Sequence, residues 1–546
     1  THIIMKRLFF LVILLGILIP AWSQKIEQPK LVVGIVVDQM RPEYLFRFYD
    51  QFGNNGFRRL MREGFFCRNT QMNYVPTYTG PGHASVYSGT TPRYHGIVSN
   101  DWYDRETKKF QNCVSDSTEQ TIGSELDKRG ISPRKLLATN ICDELEISTN
   151  HKAKVIAISL KDRAAVLPAG HMADGAFWFD EGSGNFVSST FYMKSLPGWV
   201  NDFNAQKHSG KYMNQVWEPL LPDDAYPYSV PDDNDYESFK GKDRPVFPYD
   251  LKKLSASNPS SCRMLFSTPF GNSLLADFAI DAIEHSDFGK NTCSDFLAIS
   301  FSSTDYVGHA FGPLSKEIND TYLRLDRDIA RLLDALDKKI GKGNYVLFLT
   351  ADHAMAEVPK YLTDNNIPGG SLSFDELKKT AEAYLNQRLG DGKWIDVVSS
   401  DQFYLNRQLI ADKGLNLVQV QNLLADFLRG QKAIAQVYTE NQLDGQEFTQ
   451  DIASRVQKGF YYKRSGDVAV VLEPGWIDNM KFGSTHGSAY TYDTNIPLIW
   501  YGAGIKSGES TIHHDVTDIA ATLAIILHTK FPSACIGTPI REVLGK

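Results

Sequence analysis

Residues 31–38 read Leu-Val-Val-Gly-Ile-Val-Val-Asp, an uncharged seven-residue run that stops at an aspartate. The same pattern, a short apolar run followed by polar residues, recurs at 155–159, 296–301 and 345–349. Near-continuous apolar runs of this length are typical of strands buried on both faces of a parallel sheet. The sequence therefore predicts at least four such strands.

Helical patterns lie between these runs, as at 322–336 and 516–527. Strands that alternate with helices predict an α/β fold, a doubly wound, mostly parallel sheet sandwiched by helices. In such sheets the ligand site lies beyond the carboxyl ends of the strands. The polar residues that end the apolar runs are therefore the first candidates for a functional site.

Two regions interrupt the alternation. Residues 175–260 are rich in Trp, Tyr, Pro and Asp, and residues 360–480 hold two amphipathic helices and strand-like pieces. We interpret both as cap insertions over the carboxyl edge of the sheet, within one α/β domain at 24–546. The alternative is an independent C-terminal domain. Insertion is favoured because the run at 495–501 and the helix at 516–527 resume the alternation.

Composition excludes several classes of protein. The chain has 546 residues, of which 42% are hydrophobic and 22% charged, which excludes a disordered or collagen-like chain. With 57 Lys and Arg against 64 Asp and Glu, the net charge is −7, and no basic cluster stands out. This distribution gives no electrostatic footprint for nucleic acid.

The first 23 residues have the pattern of a secretory signal peptide. Lys6-Arg7 precedes an apolar run at 8–19, and Ala21-Trp-Ser23 provides a small-x-small cleavage site. The run is shorter than the roughly 20 residues of a spanning helix. We therefore expect a periplasmic or secreted protein without a stable membrane span after cleavage. An uncleaved membrane anchor is the alternative.

The six cysteines are candidates for disulfides, because export leads to an oxidising compartment. They show no C-x-x-C spacing, which makes a zinc ribbon a poor interpretation. Six cysteines allow 15 pairings, among which the sequence does not choose.

Three carboxylates and three imidazoles stand at or near the predicted strand ends: Asp38, Asp305, His309, Asp352, His353 and the isolated His486. Each alone is more often a structural residue. Together, carboxylate and imidazole suit zinc, and six ligands are enough for two metals that each keep an open position. Their joint placement predicts a two-metal site.

The candidate nucleophile is Thr79, in the stretch Tyr74-Val-Pro-Thr-Tyr-Thr-Gly-Pro-Gly-His83. Pro81 fits the first turn of a helix, which places Thr79 at the amino end, where backbone N–H groups stabilise an anion. An ordinary N-cap role is the structural alternative for Thr79. Thr77 is the local competitor.

Three further residues are candidates for contacts with an anionic substrate. Lys161 and Arg163 flank Asp162 directly after a strand, and spacing i, i+2 in extended chain puts both side chains on one side. Arg forks onto two phosphate oxygens, whereas Lys offers a point charge. Asn100 could donate an amide N–H to the same group. A solvated surface pair is the alternative for Lys161 and Arg163.

These residues lie in motifs that resemble the alkaline phosphatase superfamily. Within it, the chain is similar to the secreted, two-zinc bacterial monoesterases with a threonine nucleophile, the flavobacterial and sphingomonad type. The resemblance runs from Val32 to about Gly545. Its motifs include Val-Val-Asp-Gln-Met40, Tyr-Val-Pro-Thr77, Asn-Asp-Trp-Tyr-Asp104, Ser-Leu-Lys-Asp-Arg-Ala164, Ser-Thr-Asp-Tyr-Val-Gly-His309 and Ala-Asp-His353.

The resemblance implies a role for each candidate residue. One Zn²⁺ would be held by Asp305, His309 and His486, and the other by Asp38, Asp352 and His353, with Thr79 approaching the second. Asn100, Lys161 and Arg163 would contact the phosphoryl oxygens.

The function implied is alkaline phosphatase activity on small phosphate monoesters, such as aryl and sugar phosphates. It would use two Zn²⁺ per chain and a covalent phosphothreonine intermediate, and it would release inorganic phosphate. The alternatives are a phosphodiesterase or nucleotide pyrophosphatase of the same superfamily, and a surface binding protein without catalysis. A sulfatase is disfavoured, because the sequence has no Cys-x-Pro-Ser-Arg stretch.

Overall fold

The computed structural model describes residues 28–258, 261–478 and 480–545, so the predicted signal peptide at 1–23 lies outside the described residues. Two sheets organise the chain, one of eleven strands and one of four. Their strands, in chain order, are β1 (Leu31–Val37), β2 (Phe65–Gln71), β3 (Thr121–Ile122), β4 (Val155–Ser159), β5 (Gly175–Asp180), β6 (Asn185–Ser189), β7 (Asp295–Phe301), β8 (Tyr345–Thr350), β9 (Ile395–Ser399), β10 (Gln402–Leu405), β11 (Ile434–Thr439), β12 (Val468–Leu472), β13 (Asn495–Ile496), β14 (Leu498–Gly502) and β15 (Gly508–Asp515).

The large sheet has the order β13-β2-β14-β8-β1-β7-β4-β5-β6-β3, with β15 beside β2. Its centre, β8-β1-β7-β4-β5, is entirely parallel. The flanking strands β14 and β6 pair antiparallel with β8 and β5. The predicted mostly parallel α/β sheet is therefore confirmed, although the run at 495–501 returns antiparallel rather than as another parallel strand.

The four predicted strands lie at the centre of this sheet, where β1, β4, β7 and β8 are buried at every position. Burial of every residue means that helices cover both faces, which is the arrangement that continuous apolar runs indicate.

Eleven helices have eight residues or more within the described part of the chain. They are α1 (Thr79–Ser88), α2 (Ile141–Thr149), α3 (Asp162–Ala169), α4 (Gly198–Ala205), α5 (Pro269–His285), α6 (Ser303–Phe311), α7 (Lys316–Leu336), α8 (Phe374–Leu389), α9 (Leu417–Arg429), α10 (Asp451–Gly459) and α11 (Asp518–Leu527). Helix α7 begins before the predicted 322, because Ser315 caps it by accepting a hydrogen bond from Ile318 N.

Shorter helical turns occur at Tyr44–Arg47, Phe57–Glu63, Pro92–His95, His208–Met213, Leu251–Leu254, Pro359–Asp364, Arg407–Asp412, Glu440–Gly445 and Thr491–Thr494. Short two-stranded sheets pair Asp101–Asp104 with Lys109–Asn112, Val216–Trp217 with Tyr249–Asp250, and Gly370–Leu372 with Trp476–Asp478.

The two regions outside the α/β alternation are built differently from each other. Residues 374–472 fold around the antiparallel sheet β9-β10-β12-β11 and a hydrophobic core of their own, which includes Trp394 and Leu424. The predicted insertion at 175–260 does not begin at 175, because β5 and β6 belong to the large sheet. Within it, residues 217–250 are mostly loop, and their aromatic side chains pack against the main core through Trp217 and Tyr249.

No helix among the described residues is both long enough and apolar enough to cross a membrane. All six cysteines lie in the described part of the chain, and each is a free thiol there.

Candidate active site

Neighbouring strands of the parallel sheet bring the predicted carboxylates together. Asp38 follows β1 directly, Asp305 lies in the first turn of α6 after β7, and Asp352 and His353 follow β8. Because β7, β1 and β8 are adjacent and parallel, their carboxyl ends meet at one edge. All four side chains are almost completely buried.

Lys161 links two of these carboxylates. Its Nζ lies 2.6 Å from Asp38 Oδ2, 2.7 Å from Asp305 Oδ2 and 3.5 Å from Thr79 Oγ1. The residue is 4% exposed, so it is not the solvated surface lysine that was the structural alternative. The ammonium group neutralises part of a charge that burial would otherwise make very costly.

Each of the three imidazoles is oriented by a backbone carbonyl at Nδ1. His309 Nδ1 contacts Ser484 O at 2.8 Å, His353 Nδ1 contacts Ala354 O at 3.0 Å, and His486 Nδ1 contacts Thr77 O at 2.6 Å. A hydrogen bond at one ring nitrogen fixes the tautomer and leaves the other as a lone-pair donor, which is the usual arrangement of metal-binding histidines. All three Nε2 atoms are therefore prepared as ligands.

The residues fit metal ions. Ligand atoms within 4.8 Å of one another form two groups, Asp305 with His353 and His486, and Asp38 with Asp352 and His353. His309 Nε2 lies 3.1 Å from Asp305 Oδ1, at the edge of the first group. Within the described residues, the buried atoms Asp38 Oδ1 and His353 Nε2 have no hydrogen-bond partner. Cations would satisfy both atoms.

The electrostatics of the site favour added positive charge. Burial, together with Asp305 and Asp352, raises the pKa of Asp38 well above its ordinary value. Burial would also raise the pKa of Asp305, but Lys161 and His309 outweigh it and hold that pKa well below its usual range. Burial and the neighbouring His353 lower the pKa of His486, which keeps this imidazole neutral and able to bind a metal.

Thr79 is the first residue of α1 and is 1% exposed. The N-cap of this helix is Tyr78, so the N-cap alternative for Thr79 is wrong. Behind Thr79, Gly82 packs directly against the loop after β8: a Cβ atom on Gly82 would lie 2.5 Å from the carbonyl oxygen of Asp352. The backbone of helix α1 therefore touches the backbone of Asp352, next to His353.

The competitor Thr77 has another role in the structure. Its carbonyl accepts from His486 Nδ1, and its hydroxyl accepts a hydrogen bond from Gly487 N at 3.1 Å. Asn100 Oδ1 accepts from Gly80 N at 2.7 Å, which leaves the amide NH₂ group as a donor for a bound molecule.

The reasoning that placed Lys161 and Arg163 on one side of an extended chain is wrong in part. Lys161 is extended, but it is the N-cap of α3, and Arg163 already lies in the first helical turn. Arg163 is half-buried, and its Nε has no hydrogen-bond partner among the described residues. A cavity of about 440 Å³ opens beside both residues, with Phe266 and Tyr306 in its wall.

Sequence reasoning missed three residues of the site. Gln39 Nε2 donates to Asp305 Oδ1 at 2.9 Å, and Lys161 Nζ lies 5.0 Å from the centre of the Tyr306 ring. His83 Nδ1 lies 3.3 Å from Asp352 Oδ2. Gln39 and Tyr306 each adjoin a predicted ligand in the sequence, which was the signal available for them, and His83 ends the nucleophile stretch.

Comparison with known proteins gives consistent matches. The model of the family "Type I phosphodiesterase / nucleotide pyrophosphatase" matches residues 32–492. A Myroides odoratus protein named calcium-transporting ATPase is 43% identical over 96% of this chain and 96% of its own. Alkaline phosphatase PafA of Elizabethkingia meningoseptica is 41% identical over 99% of both chains. A crystal structure of wild-type PafA has a TM-score of 0.91 at 42% identity, covering 95% of this chain and 99% of the other.

Proposed function

This chain belongs to the type I phosphodiesterase / nucleotide pyrophosphatase family, and from its 41% identity to alkaline phosphatase PafA we propose that it is an alkaline phosphatase, an enzyme that hydrolyses phosphate monoesters. The observation that carries the proposal is the position of Thr79 at the start of α1, 3.5 Å from the Lys161 ammonium, beside two groups of metal-binding side chains. Nucleophile, cations and anion contacts are the parts that phosphoryl transfer requires.

We propose two Zn²⁺ per chain, one held by Asp305, His309 and His486 and the other by Asp38, Asp352 and His353. The mixture of imidazole and carboxylate ligands supports zinc over calcium or magnesium, which prefer oxygen alone. When bound, such ions supply Lewis-acid stabilisation of oxygen atoms that gain negative charge. A metal analysis that finds much less than two zinc atoms in active protein would contradict this assignment.

The residues of the chain have defined tasks in a two-step reaction. The Thr79 hydroxyl gives its proton to solvent, and Oγ1 attacks phosphorus as the bond to the leaving oxygen breaks. The leaving oxygen takes up a proton from solvent and departs as the alcohol, which leaves a phosphothreonine. Water then attacks phosphorus and gives up a proton, the Oγ1–P bond breaks, Oγ1 regains a proton and inorganic phosphate leaves. Lys161 stabilises negative charge on Thr79 Oγ1 before the attack.

Arg163, Lys161 and the Asn100 amide donate hydrogen bonds to the non-bridging phosphoryl oxygens. Donors fixed by the fold stabilise the charge of the transition state without reorganising. The orientation of Asn100 by Gly80 N and the burial of Lys161 both support such fixed placement.

The second candidate is a phosphodiesterase, as the name of the family model suggests. The cationic pair distinguishes the two, because a monoester presents one more charged oxygen than a diester. ATP would be hydrolysed by the same reaction, since its terminal phosphoryl group carries two negative charges, as a phosphate monoester does. We propose no transport role from the name of the Myroides relative.

The decisive experiment compares kcat/KM for an aryl phosphate and for its methyl diester. We expect the wild type to prefer the monoester. Lys161→Ala and Arg163→Ala should each lower monoester turnover about 100- to 1,000-fold, the size seen for loss of one transition-state donor. Diester turnover should fall much less in Arg163→Ala, whereas in Lys161→Ala it should fall as well, because Lys161 also contacts Thr79. A wild type that prefers the diester would establish the second candidate instead.

We also propose that the chain is exported by the signal peptide at 1–23 and acts in the periplasm or outside the cell. The mature protein would then be one catalytic α/β domain with caps formed by the regions at 175–260 and 360–480, without β5 and β6, which belong to the large sheet. The pattern of the leader supports export. Amino-terminal sequencing of the mature protein tests it, and a mature chain that begins at Met5 would contradict it.

A further inference from the structure

Gln39 lies between the two groups of metal-binding side chains. It follows Asp38 in the chain, two residues after β1 ends, and is 1% exposed. Its side-chain Nε2 donates to Asp305 Oδ1 at 2.9 Å, whereas its backbone N donates to Asp352 Oδ1 at 3.2 Å. One residue therefore holds a carboxylate from each of the two groups.

The side-chain hydrogen bond fixes the direction of the Asp305 carboxylate. Lys161 Nζ holds the other oxygen of this group, Oδ2, at 2.7 Å. Asp305 Oδ1 lies 3.1 Å from His309 Nε2 and 3.6 Å from His486 Nε2, the two imidazoles assigned to the same zinc. A carboxylate oxygen can accept at two lone pairs. Because the Gln39 amide occupies one of them at Oδ1, the other is left for the position between the imidazoles.

The space around the Gln39 amide is also specific to this arrangement. Its Oε1 atom is buried and has no hydrogen-bond partner among the described residues. Gly308, inside α6, leaves room for that oxygen, because a Cβ atom on Gly308 would overlap it. Glycine inside a helix is less favourable than alanine. Stability of the fold alone would favour neither the unpartnered oxygen nor this glycine.

The backbone of Gln39 is in an unfavourable conformation as well. Its φ of 65° lies in the left-handed region, which residues with a side chain rarely adopt. Such a conformation persists only where the surrounding structure enforces it, and residues of this kind cluster at functional sites. Here the hydrogen bonds to Asp305 and Asp352 supply the enforcing contacts.

We propose that Gln39 is a positioning residue, which holds the carboxylates of the two metal groups at a fixed separation and whose amide orients Asp305 toward its zinc. The proposal rests on the zinc assignment of the proposed function. Partners that hydrogen-bond to metal ligands commonly contribute about 10- to 100-fold to metal affinity. Since the backbone N–H that holds Asp352 stays when the side chain is replaced, a substitution at position 39 should weaken mainly the group of Asp305.

The experiment counts and titrates zinc on the full-length protein. Gln39→Met keeps the length of the side chain but removes the amide donor. The wild type should bind two zinc ions per chain, and competition with a chelator of known affinity should show that Gln39→Met binds one of them about 10- to 100-fold more weakly. The affinity for the other ion should change much less. Turnover by Gln39→Met should be low at limiting free zinc and should recover in excess zinc.

The matched control is Gln421→Met. Gln421 is also 1% exposed, its Nε2 donates to Glu440 Oε2 at 2.9 Å, and its Oε1 has no partner among the described residues. It lies on α9, in the region folded around the four-stranded sheet, so this variant should bind both zinc ions like the wild type. If Gln39→Met fails to fold, Gln39→Asn gives the same comparison, because asparagine tolerates the left-handed region but its amide is one carbon shorter.

Two results would overturn the proposal and leave the phosphatase assignment in place. One is a Gln39→Met protein that binds both zinc ions with wild-type affinity. The other is an equal loss of affinity in Gln421→Met, since the effect would then come from lower stability. A wild type without zinc would overturn the metal assignment, and this proposal with it.

Discussion

The candidate active site and the place where the loop at 217–250 packs on α7 both bury carboxyl groups, among them Glu237 and Glu317 in the second region. In both regions a buried carboxyl oxygen has no hydrogen-bond partner among the described residues. At the strand ends, imidazoles and the Lys161 ammonium join the carboxylates. On α7, the added partners are a tyrosine hydroxyl and an amide.

The partners make the two regions chemically different. Imidazole and carboxylate together suit zinc, which supports the metal site proposed at the strand ends. In the second region, by contrast, neutral donors contact the carboxyl groups. The first region is therefore the one where substitutions should change turnover.

The largest expected effect is on the nucleophile. Thr79→Ala should lower kcat/KM for an aryl phosphate about 10,000-fold or more, which is the size of loss seen when an enzyme loses its nucleophile. It should also abolish transfer of labelled phosphate to the protein. Glu146→Gln is the control and should turn over normally. Persistent labelling of the Thr79→Ala protein would move the nucleophile to another residue, first to Thr77.

A smaller loss of turnover is expected for Gly82→Ala, and Gly210→Ala is its matched control. The Cβ atom of Gly82→Ala would collide with Asp352 and displace α1, and a shift of about 1 Å can cost about 100-fold in turnover. Gly210, in the short helix of the aromatic-rich region, has open space around its Cβ position. Gly210→Ala should therefore be active and slightly more stable. Equal activity of the two variants would show that the contact with Asp352 is not critical.

The smallest effect concerns Glu146, a buried carboxylate on α2, away from the candidate active site. Burial, together with Asp174, raises the pKa of Glu146 from 4.5 to about 8. Because the pKa of Glu146 is higher in the folded state than in the unfolded state, its contribution to the free energy of unfolding is fully present below about pH 4.5 and is lost as the pH rises through 8. In denaturant titrations the free energy of unfolding of the wild type should therefore fall with pH, and Glu146→Gln should remove about 1–3 kcal/mol of that fall, after allowance for solvent screening. A variant with an unchanged pH slope would contradict the shift.

The sequence was sufficient for four of the five strands in the parallel centre of the sheet and for the polar residues that follow them, but β5 was assigned to a cap insertion. Strands β1, β4, β7 and β8 are continuous apolar runs, so their positions and the polar residues that follow them are local properties. Asp305 and His309 are one helical turn apart, which their spacing already indicated.

Contacts between segments that are distant in the chain could not be predicted from the sequence. Tyr249 and Glu317 come from a loop and a helix that no periodic pattern connects, so their hydrogen bond depends on the packing of 217–250. The direction of Arg163 depends on where α3 begins, and helix starts are weakly encoded. The antiparallel return of β14 likewise follows from pairing with β8 rather than from its own composition.

The contact between Gly82 and Asp352 has a consequence for anyone who would transplant this site onto another scaffold. The separation between the backbone of α1, which carries Thr79, and the backbone of Asp352 is fixed where the two main chains touch at Gly82. Copying the ligand side chains alone would reproduce the composition of the site but not this backbone separation. A graft must also keep glycine at position 82, because any side chain there would push the two main chains apart.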